Sequence, residues 1–179
     1  MPARSNHQRL RAIQRGFTLV ELVIVLMVMG ILLAAAAPKY VDSLNRFRVE
    51  AAARRIAADL DFVRSRAIMK GPSEEEWVRF FPANDEYEMV DDPDFDRPAD
   101  EYWVRFDETA YPVDLVSAQF TNTDGYTSTQ TVKFNLYGQC VCGNEPNIFP
   151  ITSGQIVVSA GNHTRTVVID PVTGKSTVQ

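Results

Sequence analysis

Glu21 is the residue whose chemistry most needs explaining. It is the one charge among the 21 positions from Phe17 to Ala37, which are otherwise almost wholly apolar. An unpaired carboxylate inside lipid costs about 2.5 kcal/mol or more, so an acid placed there needs a cationic partner. Were the chain cut between Gly16 and Phe17, a new amine would appear on Phe17, four residues before Glu21. That amine could pair with Glu21 of the same chain, one helical turn away. It could equally meet Glu21 of a neighbouring chain stacked out of register. The second pairing would fix the axial offset between adjacent helices, because any other offset leaves a charge unsatisfied.

The remaining reactive groups are sparse. Cys140 and Cys142 lie in Cys-Val-Cys. A disulfide between cysteines one residue apart is strained, and two thiolates fall short of the roughly four ligands of a structural zinc site. They read as structural or local redox thiols. The stretch from Asp91 to Glu101 offers carboxylates at alternate positions, as calcium favours, but Arg97 stands where a calcium loop needs glycine and no glutamate closes the loop. A solvated acidic loop is expected, and no metal. His7 and His163 have no acid or nucleophile set beside them by any motif; His163, in the Gly161-Asn162-His163 turn, reads as exposed. With no catalytic constellation, phosphate loop or zinc helix, the expectation is a protein that is not an enzyme and binds no cofactor.

The elements that carry these residues follow from pattern. The formal charge is −5; residues 1–16 hold Arg4, Arg9, Arg11 and Arg15 and no acid, and removing those four charges leaves −9 for residues 17–179. A basic leader therefore precedes an acidic body whose long-range field disfavours nucleic acid. The apolar run, as a helix, spans roughly 30 Å, the hydrocarbon thickness of a bilayer. The arginines before it would stay cytoplasmic, placing the rest across the membrane. A secretory signal peptide is the competing reading, since Ala34–Ala37 offers small residues for cleavage, but the run exceeds the usual h-region of about 7–15 residues.

Residues 39–70, rich in alanine and arginine, predict a continuing helix with an apolar stripe of Phe47, Ala51, Ile56, Leu60, Val63 and Ala67, ended by Gly71-Pro72. Its basic residues, Arg46, Arg48, Arg54, Arg55, Arg64, Arg66 and Lys70, read as a solvated face or as a contact for an acidic neighbour. From Trp77 onward strand signals dominate: 77–81, 86–90, 101–106, 113–120, 131–137, 155–160 and 165–170. Asn122–Gly125, Gly161-Asn162 and Pro171–Gly174 supply turns, the last two within a C-terminal meander that ends in a short strand. The predicted class is α+β: a long N-terminal helix, transmembrane in its first half, packed on an antiparallel head. The divisions are 1–16 leader, 17–38 transmembrane and assembly helix, 39–71 amphipathic helix of the head, and 72–179 β-rich head.

The stretch Gly16-Phe17-Thr18-Leu19-Val20-Glu21, followed by the apolar run, resembles the class III signal of type IV pilins and type II secretion pseudopilins. The resemblance implies cleavage after Gly16 by a membrane prepilin peptidase and N-methylation of Phe17. It also implies that Glu21 guides assembly by meeting the Phe17 amine of a neighbour, and that Pro38 is the helix-kinking proline. Residues 134–139 and 154–178, with the helix 53–71, are similar to the H-type minor pseudopilins, whereas 72–130 carry no such likeness.

The expected function is a minor pseudopilin of the type II secretion pseudopilus, which helps export folded proteins. It would be a single-pass inner-membrane protein with a periplasmic head, and its partners would be other pseudopilins or pilins, the prepilin peptidase and the assembly platform. The alternative is a minor type IV pilin acting in assembly initiation, adhesion or DNA uptake. DNA capture needs a basic patch, and the last part of the chain offers only Lys133, Arg165 and Lys175. A membrane-anchored enzyme is the remaining alternative.

Overall fold

A computed structural model describes residues 17–71, 76–93, 101–144 and 146–179. The leader with Gly16 and His7, Pro72, and most of the acidic stretch that raised the calcium question lie outside the described residues. The chain divides into two units, one ending at Tyr40 and the other comprising Val41–Gln179.

One helix, α1, runs Leu19–Lys70. Its alanine- and leucine-rich composition favours helix throughout. Gly71, at φ 76°, closes it in the left-handed conformation, its N–H donating to the Ala67 carbonyl at 3.3 Å. Pro38 lies inside α1, where its ring leaves the Ala34 carbonyl without its usual helical donor. The first unit holds a helical window long and apolar enough to cross a membrane, none of it buried.

Within the second unit, α1 buries Val49, Ala52, Ala53, Ile56, Leu60, Val63 and Ala67. The expected stripe is right from Ile56 onward and wrong before it. Phe47 is 67% exposed and Ala51 is half-buried, because the face that meets the sheet enters at Val49 and the paired alanines 52 and 53. Small residues there admit close packing of helix on sheet.

Ten strands follow: β1 Glu76–Phe81, β2 Glu86–Pro93, β3 Glu101–Arg105, β4 Asp114–Asn122, β5 Thr127–Ser128, β6 Thr131–Phe134, β7 Cys140–Asn144, β8 Asn147–Ala160, β9 His163–Ile169 and β10 Ser176–Val178. Every pairing is antiparallel. The strands form two sheets sharing β8. Residues 147–150 of β8 pair with β7 in the order β3-β2-β1-β6-β7-β8, and its later residues pair with β4 and β9 in the order β5-β4-β8-β9-β10. The class is α+β and pilin-like, as expected.

The core lies where α1 meets the inner faces of both sheets. Phe80 of β1 joins them, its ring centroid 5.6 Å from Tyr87 and 5.9 Å from Phe120 of β4. Each such side chain, fully buried, contributes about 1.5–3 kcal/mol.

Strand boundaries differ from expectation at several points. β6 stops at Phe134, because Asn135 folds 135–139 into a turn, its side-chain oxygen accepting from the N–H groups of Tyr137 and Gln139. Phe106 leaves β3 for a short 3-10 turn. β7 and the first half of β8 were not anticipated, because their glycine, asparagine and proline content reads as loop.

Candidate functional site

Two places can be built from residues upward: the start of α1 and the polar seams of the head. Thr18 precedes the first helical residue. Its side-chain oxygen accepts from the Glu21 N–H at 3.2 Å, and its carbonyl from the Leu22 N–H at 3.2 Å. This is an N-cap with Glu21 at the third helical position, the T-x-x-E pattern of a capping box. The pattern is legible in Thr18-Leu19-Val20-Glu21, yet the reading of Glu21 as a site passed over Thr18. An acid in the first turn also sits favourably against the positive end of the helix dipole. Phe17 lies before the helix and is 82% exposed. Helical i, i+4 geometry therefore does not by itself join Phe17 to Glu21.

In the head, Asp59 of α1 accepts from the hydroxyls of Tyr87 on β2 and Tyr102 on β3, the latter at 3.0 Å. Arg55, one turn earlier, donates to Tyr111 at 2.9 Å and Tyr102 at 3.2 Å. Burial pushes the Asp59 carboxyl up, against the hydrogen bonds of the two tyrosines and the charge of Arg55. Burial raises Tyr87 well above its ordinary value and Tyr102 to about 12. It opposes the charge on Arg55 as well, but the tyrosine hydrogen bonds outweigh it and hold the guanidinium protonated. These groups satisfy one another, so the cluster cross-links helix to sheet.

A second seam joins the end of α1 to β1. Glu76 is buried, with Lys70 Nζ at 2.5 Å and Arg66 Nε at 3.9 Å. A third joins α1 to the two late turns: Arg64 Nε donates to the carbonyls of Thr173 at 2.7 Å and Gly138 at 3.1 Å. The reading of the basic residues of the helix as a solvated face is thus corrected for Arg55, Arg64, Arg66 and Lys70, which bind the head itself.

His163 is corrected too. It is half-buried, and its Nε2 lies 2.8 Å from Asp42 Oδ1, a partner 121 residues away that no local motif reveals. Cys140 and Cys142 are free and buried in β7, with Cys142 Sγ 3.2 Å from the Phe120 carbonyl. Burial raises both thiols, which suppresses the reactive thiolate. Among the described residues, no group of three His, Cys, Asp or Glu side chains converges as metal ligands do.

The sequence ahead of the cap decides what the start of α1 means. Residues 11–37 match the prokaryotic N-terminal methylation motif. No curated protein and no solved structure matches this chain. The methylation motif, the apolar helix and the antiparallel head together fit the pilin-like superfamily, and the motif supports a type IV pilin or pseudopilin. It implies processing by a prepilin peptidase and assembly with other pilins. The apolar helix behind that signal fits membrane anchoring with a periplasmic head.

Proposed function

We propose that the chain is a minor pseudopilin, a structural subunit of the type II secretion pseudopilus that helps export folded proteins. The observation that carries this reading is the methylation motif over residues 11–37, with one acid, Glu21, on the capped first turn of an apolar helix. The peptidase hydrolyses the Gly16–Phe17 amide, freeing the Phe17 amine, which is then N-methylated. Membrane insertion keeps the helix in the inner membrane until extraction. Glu21 meets the Phe17 amine of a neighbour; a capped helix that starts at Leu19 and leaves Phe17 outside it favours this pairing over one within the chain. Pro38 is the helix-kinking proline of this reading, its ring removing one backbone hydrogen bond. Addition of subunits through a non-closing interface builds the filament.

The assignment to the H-type minor pseudopilins is supported by the way residues 53–71, 134–139 and 154–178 meet, through Arg64, Gly138 and Thr173. A surface pilus that captures DNA draws less support: Arg165, one of the few late basic residues, is bound to Glu50 at 2.8 Å. The test is a quantitative proteome of the culture supernatant from a strain lacking the gene. Selective loss of several secreted enzymes with surface pili intact is expected. An unchanged supernatant with lost pili would overturn the secretion reading in favour of a minor type IV pilin.

A further inference from the structure

Two grooves of opposite charge lie on the head, one on each side of the buried face of α1. The first, about 560 Å³, is lined by Ser43, Arg46, Phe47, Glu50 and Arg54 of the helix and Arg165 of β9. Three arginines against one glutamate leave it at +2. The second, about 280 Å³, includes Asp85, Asp107, Asp114, Pro112 and Val113, with Arg48 from the helix. Three aspartates against one arginine leave it at −2. At 100° per residue, positions 43, 46, 47, 50 and 54 fall on one flank of the stripe Val49–Ala67, and 45 and 48 on the other.

Arg54 and Arg165 of the basic groove are held by Glu50, but each groove also carries charge that the head does not use internally. Arg46, Asp107 and Asp114 are exposed and form no ion pair with any described residue. Phe47, 67% exposed, stands in the basic groove. An aromatic ring beside arginines is the composition found at the centre of protein interfaces. The two patches are complementary to each other and lie on different sides of one helix, so they cannot satisfy one another within a chain. Two copies can bring them together head to tail, and the contact leaves one groove of each kind open for the next copy, as a filament requires.

We propose that the basic groove of one copy of this chain docks the acidic groove of a second copy, with Arg46 facing Asp107 and Asp114 and Phe47 seated against the exposed Pro112. The inference rests on the filament reading but assigns the surface and the partner.

The test uses full-length chains carrying two different tags, co-expressed with the assembly machinery, solubilised from membranes and captured through one tag. Capture of the second tag is expected, weakening as salt is raised. Arg46→Glu and Asp114→Lys should each lower it by at least about tenfold, since each sets like charges against one another. The doubly reversed chain, Arg46→Glu with Asp114→Lys, should recover most of it. Capture unaffected by either reversal, no recovery in the double variant, or no self-capture at all would overturn the proposal, the last by pointing to a different subunit as occupant. The N-terminus of each captured chain is sequenced in parallel. Maturation at Phe17 with charge-insensitive capture sinks the docking alone, whereas an unprocessed chain sinks the filament reading.

Discussion

Gly174 packs directly on the carbonyl of Gly138: a Cβ at position 174 would lie 2.0 Å from that oxygen. The two turns are 36 residues apart in sequence. Gly174, at φ 67°, is in the left-handed region, and its N–H donates to the Asp170 carbonyl at 2.8 Å. Arg64 then ties both turns to α1. Gly174→Ala meets both the strained backbone and the Gly138 carbonyl, which no side-chain rotation relieves. It should cost roughly 2–3 kcal/mol. Both tryptophans, Trp77 and Trp103, lie in the head, so denaturant unfolding followed by their fluorescence reads the loss. An unshifted midpoint would show that the turns separate without cost.

Asp59 predicts an unusual sign of pH dependence. Burial holds its carboxyl above the ordinary value of 3.8. The folded chain therefore keeps a proton that the unfolded chain has already released. Stability from this group is greatest below 3.8 and is lost as pH rises through the raised value. Glu50, held low by hydrogen bonds from Arg165 and Arg54, and Asp170, held low by Thr173, act in the opposite sense. They are common to wild type and Asp59→Asn and cancel in the difference. The stability of wild type relative to Asp59→Asn should therefore rise as pH falls from about 7 to about 4. Paired denaturant titrations at several pH values check it. A flat difference would place the Asp59 charge in a well-solvated setting, and a falling one would mean that the tyrosine hydrogen bonds and Arg55 outweigh burial.

Local pattern made α1, the turn at Asn122–Gly125 and the C-terminal meander legible, because each depends on residues close in sequence. The turns at Gly161-Asn162 and Pro171–Gly174 appear where the glycines placed them. Contacts that close the fold at long range were not legible. Nothing near His163 names Asp42, and nothing near Arg64 names the carbonyls of Gly138 and Thr173. β7 and the start of β8 were hidden for a related reason. Gly143 is required because a Cβ there would lie 2.0 Å from the Asn147 carbonyl, so a residue that reads as a loop former instead marks a hairpin. Phe47 fits the apolar spacing yet is exposed, because apolar character alone does not fix which flank of the helix meets the sheet. At the start of α1, the same Thr-x-x-Glu pattern serves both as helix cap and as part of the methylation motif.

Processing offers a direct test of the leader. Gly16 has no side chain to obstruct a peptidase subsite at the bond to Phe17. Gly16→Asp adds both bulk and a charge there and should leave the leader attached, with the chain still in the membrane through its apolar run. N-terminal sequencing and intact mass of the membrane-bound chain read the outcome. A mature species beginning at Phe17 in this variant would show that cleavage does not need glycine at position 16, whereas a wild-type chain beginning at any other residue would refute the cleavage site.

The role of Glu21 can be separated from its part in the helix. Thr18 accepts from the Glu21 backbone N–H, not from its side chain, so Glu21→Ala and Glu21→Val keep the cap and the helix start. Both also remove a charge that opposes insertion, and membrane insertion and cleavage should proceed. On the proposed reading, what disappears is the partner for a neighbour's Phe17 amine. Removing one member of a buried pair costs about 3–5 kcal/mol, so incorporation should fall by roughly two orders of magnitude or more. The measurement is co-purification of processed chain with sister subunits, set against the amount of processed chain in the membrane. Normal co-purification with normal processing would show that filament register is set elsewhere. Glu21→Gln refines the test: it keeps the shape and a hydrogen-bond acceptor but not the charge, so recovery in that variant would mean the contact is a hydrogen bond and does not depend on an ion pair.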